Sequence, residues 1–151
     1  MSTIRDMTAE DLPQVMRLAV AMLAESRFAA KYPIADAKLQ RMIQGLIDSA
    51  DGAAWVAEDG GEIVGGFLGV AIEQWFSHAW VAQDLAMFVS PDKRGNMIGV
   101  RFVRQFQEWA NTRGCQDAEI GVNTGVAHDR TGDMLKACGM EPVGTLYSRS
   151  V

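Results

Sequence analysis

The segment Leu85–Val100, LAMFVSPDKRGNMIGV, carries the clearest chemistry in this sequence. An apolar run meets Ser90-Pro91-Asp92. A basic pair follows, Lys93-Arg94, and then Gly95, where helical spacing begins. A strand, a basic turn with a glycine and a helix start together suit anion binding. The first amides of a helix have no internal acceptor, and the helix dipole adds partial positive charge at the same place. Lys93 and Arg94 add full charges. The segment is expected to seat a phosphorylated ligand.

Such a seat needs a strand ahead of it, a helix behind it and a frame to hold both. Ile4–Met7 reads as a short strand, and Thr8 with Asp11 resembles a helix-start box. Leu12, Val15, Met16, Ala19, Met22 and Leu23 recur at helical spacing, with Pro13 near the first turn. Glu25–Ile34 reads as a loop, and Asp36–Ser49 as a second helix with Leu39, Met42, Ile43 and Leu46 on one face. Ala53–Ala57 and Ile63–Glu73 read as strands joined by the hairpin signal Glu58-Asp59-Gly60-Gly61, and Val81–Val89 returns after a turn at Gln74–His78. A helix from Gly95 to about Thr112 buries Gly99, Phe102, Val103, Phe106, Trp109 and Ala110, and Arg113-Gly114 ends it. A strand at Asp117–Val122, a short helix at Asp129–Cys138 and a last strand at Pro142–Ser148 complete the order βααβββαβαβ. That order predicts an α+β layered domain over residues 1–151.

Composition narrows the ligand class. The chain has 151 residues, 48% apolar and 22% charged, enough for one packed core. A net charge of -5 argues against nucleic-acid or membrane-surface binding. No apolar run spans a bilayer, no signal peptide opens the chain, and Cys115 and Cys138 share no metal-ligand spacing with each other or with His78 and His128. A cytoplasmic protein without a metal is expected, its cysteines small buried hydrophobes of a reducing compartment.

The order and the motif together resemble the GCN5-related N-acetyltransferase (GNAT) superfamily. Its signature is Arg/Gln, two residues, Gly, one residue, Gly/Ala. It maps onto Arg94-Gly95-Asn96-Met97-Ile98-Gly99, where Arg94 and Gly99 fit and Met97 stands in place of the middle glycine. Val89-Ser90-Pro91 ahead of it, and Met134–Gly144 near the C-terminus, also look typical. The resemblance implies a mixed, mainly antiparallel central sheet with helices on both faces, and acetyl-coenzyme A as co-substrate. The pyrophosphate would lie on the amides of Arg94, Gly95, Asn96, Met97, Ile98, Gly99 and Val100. The pantetheine arm would lie between Met87, Phe88 and Val89 on one side and Gly121–Asn123 on the other, with an amide near Val89 polarising the thioester carbonyl. Met97 keeps its amide, so the seat is expected to survive if its side chain points away or lies along the cofactor.

The implied reaction is acetyl transfer to a primary amine of a small molecule or protein by direct attack. The alternative is an acyl-coenzyme A-binding module without catalysis, and a third reading is a fold-only interaction domain. The family's acid is often a tyrosine of the last helix; Leu135 matches that position and cannot donate a proton. Some members use a glutamate of the fifth strand as base; Gly121 matches it. Asp84 and Glu73 are the base candidates. Alternation places Asp84 on the face of Ala86 and Phe88, where it is either a base of raised pKa or a strand-end acid facing water or bonded to backbone. Glu25 and Arg27 lie where the family grips its acceptor and would meet an ammonium and a carboxylate; a solvated loop is the plainer reading. Trp75, Phe76 and Trp80 mark a hairpin tip expected in the core or at an interface. Dimerisation through strands, common in the family, leaves a homodimer open.

Overall fold

The computed structural model describes residues 2–151. In chain order it holds β1 (Thr3–Asp6), α1 (Leu12–Glu25), α2 (Asp36–Asp48), β2 (Gly52–Asp59), β3 (Glu62–Glu73), β4 (Trp80–Val89), α3 (Ile98–Thr112), β5 (Asp117–Glu119) and α4 (His128–Ala137). The strands lie side by side in sequence order. Each pair is antiparallel except β4 and β5, which run parallel.

Local chemistry explains the turns. Gly60 and Gly61 join β2 to β3 with φ of 58° and 83°, the double positive φ that a tight hairpin requires. Pro13 occupies the second position of α1, where no helical N–H is lost. Beneath the start of α1, the Arg5 guanidinium donates to both oxygens of the buried Asp11 carboxylate at 2.8 and 2.9 Å.

The helices divide between the two faces of the sheet. Leu12, Val15 and Ala19 of α1 and Ile43 and Leu46 of α2 pack with Val56, Leu68 and Phe88 on one face. Ile98, Phe102, Phe106 and Ala110 of α3 pack with Trp55, Phe67 and Ala82 on the other. The Phe67 and Phe106 rings stand 4.9 Å apart. The glycines of β3 make room for such rings: a Cβ on Gly66 would come within 2.5 Å of the Phe88 ring, and one on Gly69 within 3.1 Å of Phe106.

One irregularity in β4 re-aims its side chains. Leu68 pairs with Ala86 but Gly69 pairs with Asp84, so Leu85 is an extra residue in a bulge. Ala82 packs on the α3 side, whereas Ala86 and Phe88 pack beneath α1 and α2. The bulge reverses the alternation between them. Asp84 therefore sides with its partner Gly69, toward α3, and not with Ala86 and Phe88 as simple alternation predicts.

Three other expectations need correction. The fifth strand ends at Glu119, short of Val122. The expected last strand, Pro142–Ser148, does not form, and Val143, Leu146 and Tyr147 are exposed. The physical reason is common to both: after Glu119 the chain leaves the sheet edge, so the tail has no ladder to join. Cys115 and Cys138 are free thiols, half-buried and not fully enclosed.

Candidate active site

The site begins where β4 and β5 part. They pair only from Val81 with Asp117 to Gln83 with Glu119. Beyond that rung β4 continues to Val89 with its outer edge uncovered, and a wedge opens. Asp84 is the first β4 residue past the last rung. Its Oδ1 accepts the Gly121 N–H at 2.9 Å, so its carboxylate spans the base of the wedge. Burial pushes the Asp84 carboxyl up to about 6, and the Gly121 bond opposes that only in part. Both readings of this residue thus meet: the acid bonds to backbone and titrates high.

Glu73 is not part of this arrangement. It lies at the far end of β3, opposite Trp80, while Gly65 of the same strand lies opposite Val89. Eight residues separate Glu73 from Gly65, about 26 Å of strand. Its carboxylate faces His78 Nδ1 at 3.4 Å across the β3–β4 turn. Trp75 and Phe76 of that turn are 90% and 69% exposed, which excludes the core, while Trp80 is half-buried.

At the other end of β4 lies the turn that sequence reading expects to seat an anion. Gly95 has φ of 89°, a conformation that bends the chain into α3 and that L-residues rarely adopt. The Asn96 Oδ1 accepts the Ile98 N–H at 3.0 Å and so satisfies one first-turn amide of α3. Met97 takes an ordinary φ of −84°, and its side chain is 57% exposed. Positive φ is needed at Gly95 and not at Met97, which stands where the family has its middle glycine. Ile98 and Phe88 have buried side chains, the Ile98 N–H is held by Asn96 and the Phe88 backbone faces Gly66 of β3, so neither offers a free group, and Met87 and Val89 pack toward α3.

The two motif glycines also receive α4. A Cβ on Gly99 would come within 2.9 Å of the Met134 sulfur, and one on Gly95 within 2.6 Å of Arg130 Nη2. Arg130 and Met134 are one helical turn apart on α4, so one face of α4 lies over the turn at Gly95 and the first turn of α3. Farther on, Gln107 Nε2 donates to the Cys138 carbonyl at 3.0 Å.

The end of α1 ties both lips of the wedge together. Arg94 donates Nη1 and Nη2 to Glu25 at 2.9 and 2.7 Å, and Nε to the Val89 carbonyl at 3.0 Å. The guanidinium holds the Glu25 carboxyl below its usual range. Two residues on, the Arg27 N–H donates to the Thr124 carbonyl at 2.8 Å, and Arg27 Nε donates to the Asn123 carbonyl. Both candidate acceptor-binding residues are therefore engaged with the protein. Asn123 meets Arg27 through its carbonyl at the opposite lip. Sequence reasoning missed this strap, because nothing in Glu25-Ser26-Arg27 signals contacts almost seventy and a hundred residues away. Leu135, at the position of the expected acid, is buried. Among the described residues no group of His, Cys, Asp and Glu is arranged to hold a metal ion, and no helix is long and apolar enough to cross a membrane.

A splayed parallel pair, a bulged central strand and a positive-φ glycine ahead of a helix define an acetyl-transfer fold. The acetyltransferase (GNAT) family model matches residues 17–140, and the chain belongs to that family. Solved structures with the same fold include the aminoglycoside N-acetyltransferase AAC(6')-Iy in complex with CoA, at 16% identity and TM-score 0.78 over 99% of this chain and 95% of that one. Glucosamine-6-phosphate N-acetyltransferase from Arabidopsis thaliana aligns at 15% identity and TM-score 0.76, over 99% and 98% of the two chains. An aminoglycoside acetyltransferase from an uncultured soil metagenomic sample, in complex with sisomicin, aligns at 19% identity and TM-score 0.73, over 99% and 96%. No curated protein matches the sequence.

Proposed function

We propose that this chain acts as one domain, an acetyl-coenzyme A-dependent N-acetyltransferase whose acceptor is a primary amine of a small molecule or protein, by direct attack. The observation that carries the reading is the wedge between β4 and β5, flanked by a carboxylate of raised pKa at one end and the anion seat at the other. The residues present fit the co-substrate. Gly95 takes the positive φ of an anion-binding turn with Arg130 Nη2 beside it, the edge of β4 beyond Asp84 has no strand partner, and Met97 is exposed and not packed in the core.

Acetyl-coenzyme A supplies the acetyl group as a thioester. A strand residue directs its N–H and C=O to the same edge. The Val89 carbonyl accepts from Arg94, so the Val89 amide shares that open edge and serves as donor to the carbonyl oxygen that gains charge during attack. The amine nitrogen forms its bond to the carbonyl carbon and must shed a proton. Asp84, four rungs back along the strand, takes that proton through intervening water on Oδ2, since Oδ1 holds the Gly121 amide. As the C–S bond breaks, the thiolate takes a proton from water. Leu135 offers none, and a thiol of pKa near 8.5 leaves without much help. Small-molecule amines are the first acceptors to test, because structural neighbours include enzymes named for aminoglycosides and glucosamine-6-phosphate.

The buried Leu135 favours a second reading, an acyl-coenzyme A-binding module without turnover. One experiment separates them. Calorimetric titration with acetyl-coenzyme A is followed by measurement of thiol release with a panel of amines. Binding with release supports the enzyme, binding without release for any amine supports the module, and no binding removes both.

A further inference from the structure

We propose that Arg130, from the first turn of α4, supplies the positive charge that faces the diphosphate of the bound coenzyme. This rests on the acyl-coenzyme A reading and goes beyond it, because the cations that sequence places in the seat are spent elsewhere. Lys93 Nζ donates to Asp59 at 3.2 Å. Arg94 uses all three of its nitrogens on Glu25 and the Val89 carbonyl. Arg101, on the first turn of α3, donates to the Ser2 carbonyl at 2.8 Å. Each of these charges already has a protein partner.

Arg130 stands apart from them. Its Nη2 lies over the bare Cα of Gly95, the residue whose positive φ shapes the seat. Among the described residues it takes part in no hydrogen bond or ion pair with the protein. One turn further along α4, Met134 lies against Gly99 in the first turn of α3. A guanidinium presents a planar fork of donors suited to phosphate oxygens, and a bidentate contact needs no neutralising carboxylate beside it. Of the two acids on α4, Asp129 faces His128 Nδ1 at 3.1 Å, and Asp133 makes no ion pair with Arg130. The glycine at 95 thus has two jobs: it turns the backbone, and it leaves space for a side chain from another helix.

The test is calorimetric binding of coenzyme A, 3'-dephospho-coenzyme A and pantetheine to wild type, Arg130→Ala and Arg130→Lys, with thermal unfolding of each free protein. The expected result is coenzyme A and dephospho-coenzyme A bound about tenfold more weakly by Arg130→Ala, the scale of one charge-assisted contact at an exposed site. Pantetheine, which lacks the diphosphate, binds all three proteins alike, and Arg130→Lys falls between. Undiminished affinity of Arg130→Ala for coenzyme A overturns the assignment while the cofactor reading stands. A loss for coenzyme A that is absent for dephospho-coenzyme A moves the contact to the 3'-phosphate and also overturns it. An equal loss for pantetheine shows a structural role and does the same. Failure of the wild type to bind coenzyme A removes the parent reading itself.

Discussion

The Asp84 carboxylate and the Gly121 amide meet at 2.9 Å at the point where two parallel strands separate. The bond closes the base of the wedge in place of the next ladder rung. It also holds an acid in surroundings that raise its pKa to about 6, because burial outweighs one accepted hydrogen bond.

The pH dependence of turnover follows. Asp84 acts as a base only when ionised, so the rate with a fixed amine should rise tenfold per pH unit below about 6, and this limb should level off above it. Asp84→Asn should lose this limb and about 10² in kcat, measured as thiol release from pH 5 to 9. An unchanged profile in the variant would take the base role from Asp84.

The same residue has a stability signature of opposite sign to most acids. Its folded pKa lies above the ordinary aspartate value of 3.8, so the folded state holds the proton more tightly than the unfolded chain. Stability should therefore fall as pH rises from about 4 to about 6, and the Asn variant should lack this component. Urea unfolding at pH 4, 5, 6 and 7 compares the two.

Gly95 and Met97 should respond unequally to substitution. Gly95→Ala places a Cβ at φ of 89° and 2.6 Å from Arg130 Nη2, so coenzyme A affinity should drop at least tenfold, with about 1 kcal/mol lost in stability. Met97→Gly, at an ordinary φ and with an exposed side chain, should leave affinity within about threefold, since the backbone there gains nothing from positive φ. Paired titration and thermal melts check both, and a larger loss at Met97 would contradict the role given to this turn.

Asp11 should be the costliest surface-proximal acid to remove. It is buried, accepts two bonds from Arg5 and receives the Thr8 N–H at 2.8 Å. Asp11→Ala should lose about 2 kcal/mol by chemical unfolding, because the Thr8 amide loses its acceptor and Arg5 keeps only Glu58 and the Asp6 carbonyl. The Glu25–Arg94 pair, more than one-third exposed on both sides, should show a coupling below about 1 kcal/mol in a double-mutant cycle.

The family and the order of elements through α4 were legible from local signals. Gly60-Gly61 can hardly be anything but a hairpin tip, and the spacing of Phe102, Phe106 and Ala110 specifies which face of α3 is buried. These signals depend on a few neighbouring residues, so a linear chain displays them.

What the chain alone left undecided depends on partners far apart in sequence. The bulge at Leu85 is defined against β3 and turns Asp84 to the α3 face, contrary to simple alternation. The absence of a sixth strand depends on how far β5 stays at the edge of the sheet. Glu25, Arg27, Lys93 and Arg94 all carry charges that sequence assigned to ligands, yet three-dimensional packing pairs each with the protein and leaves Arg130 over the glycine. Residue types declare which interactions are chemically available; only the folded backbone sets the distances that choose among them.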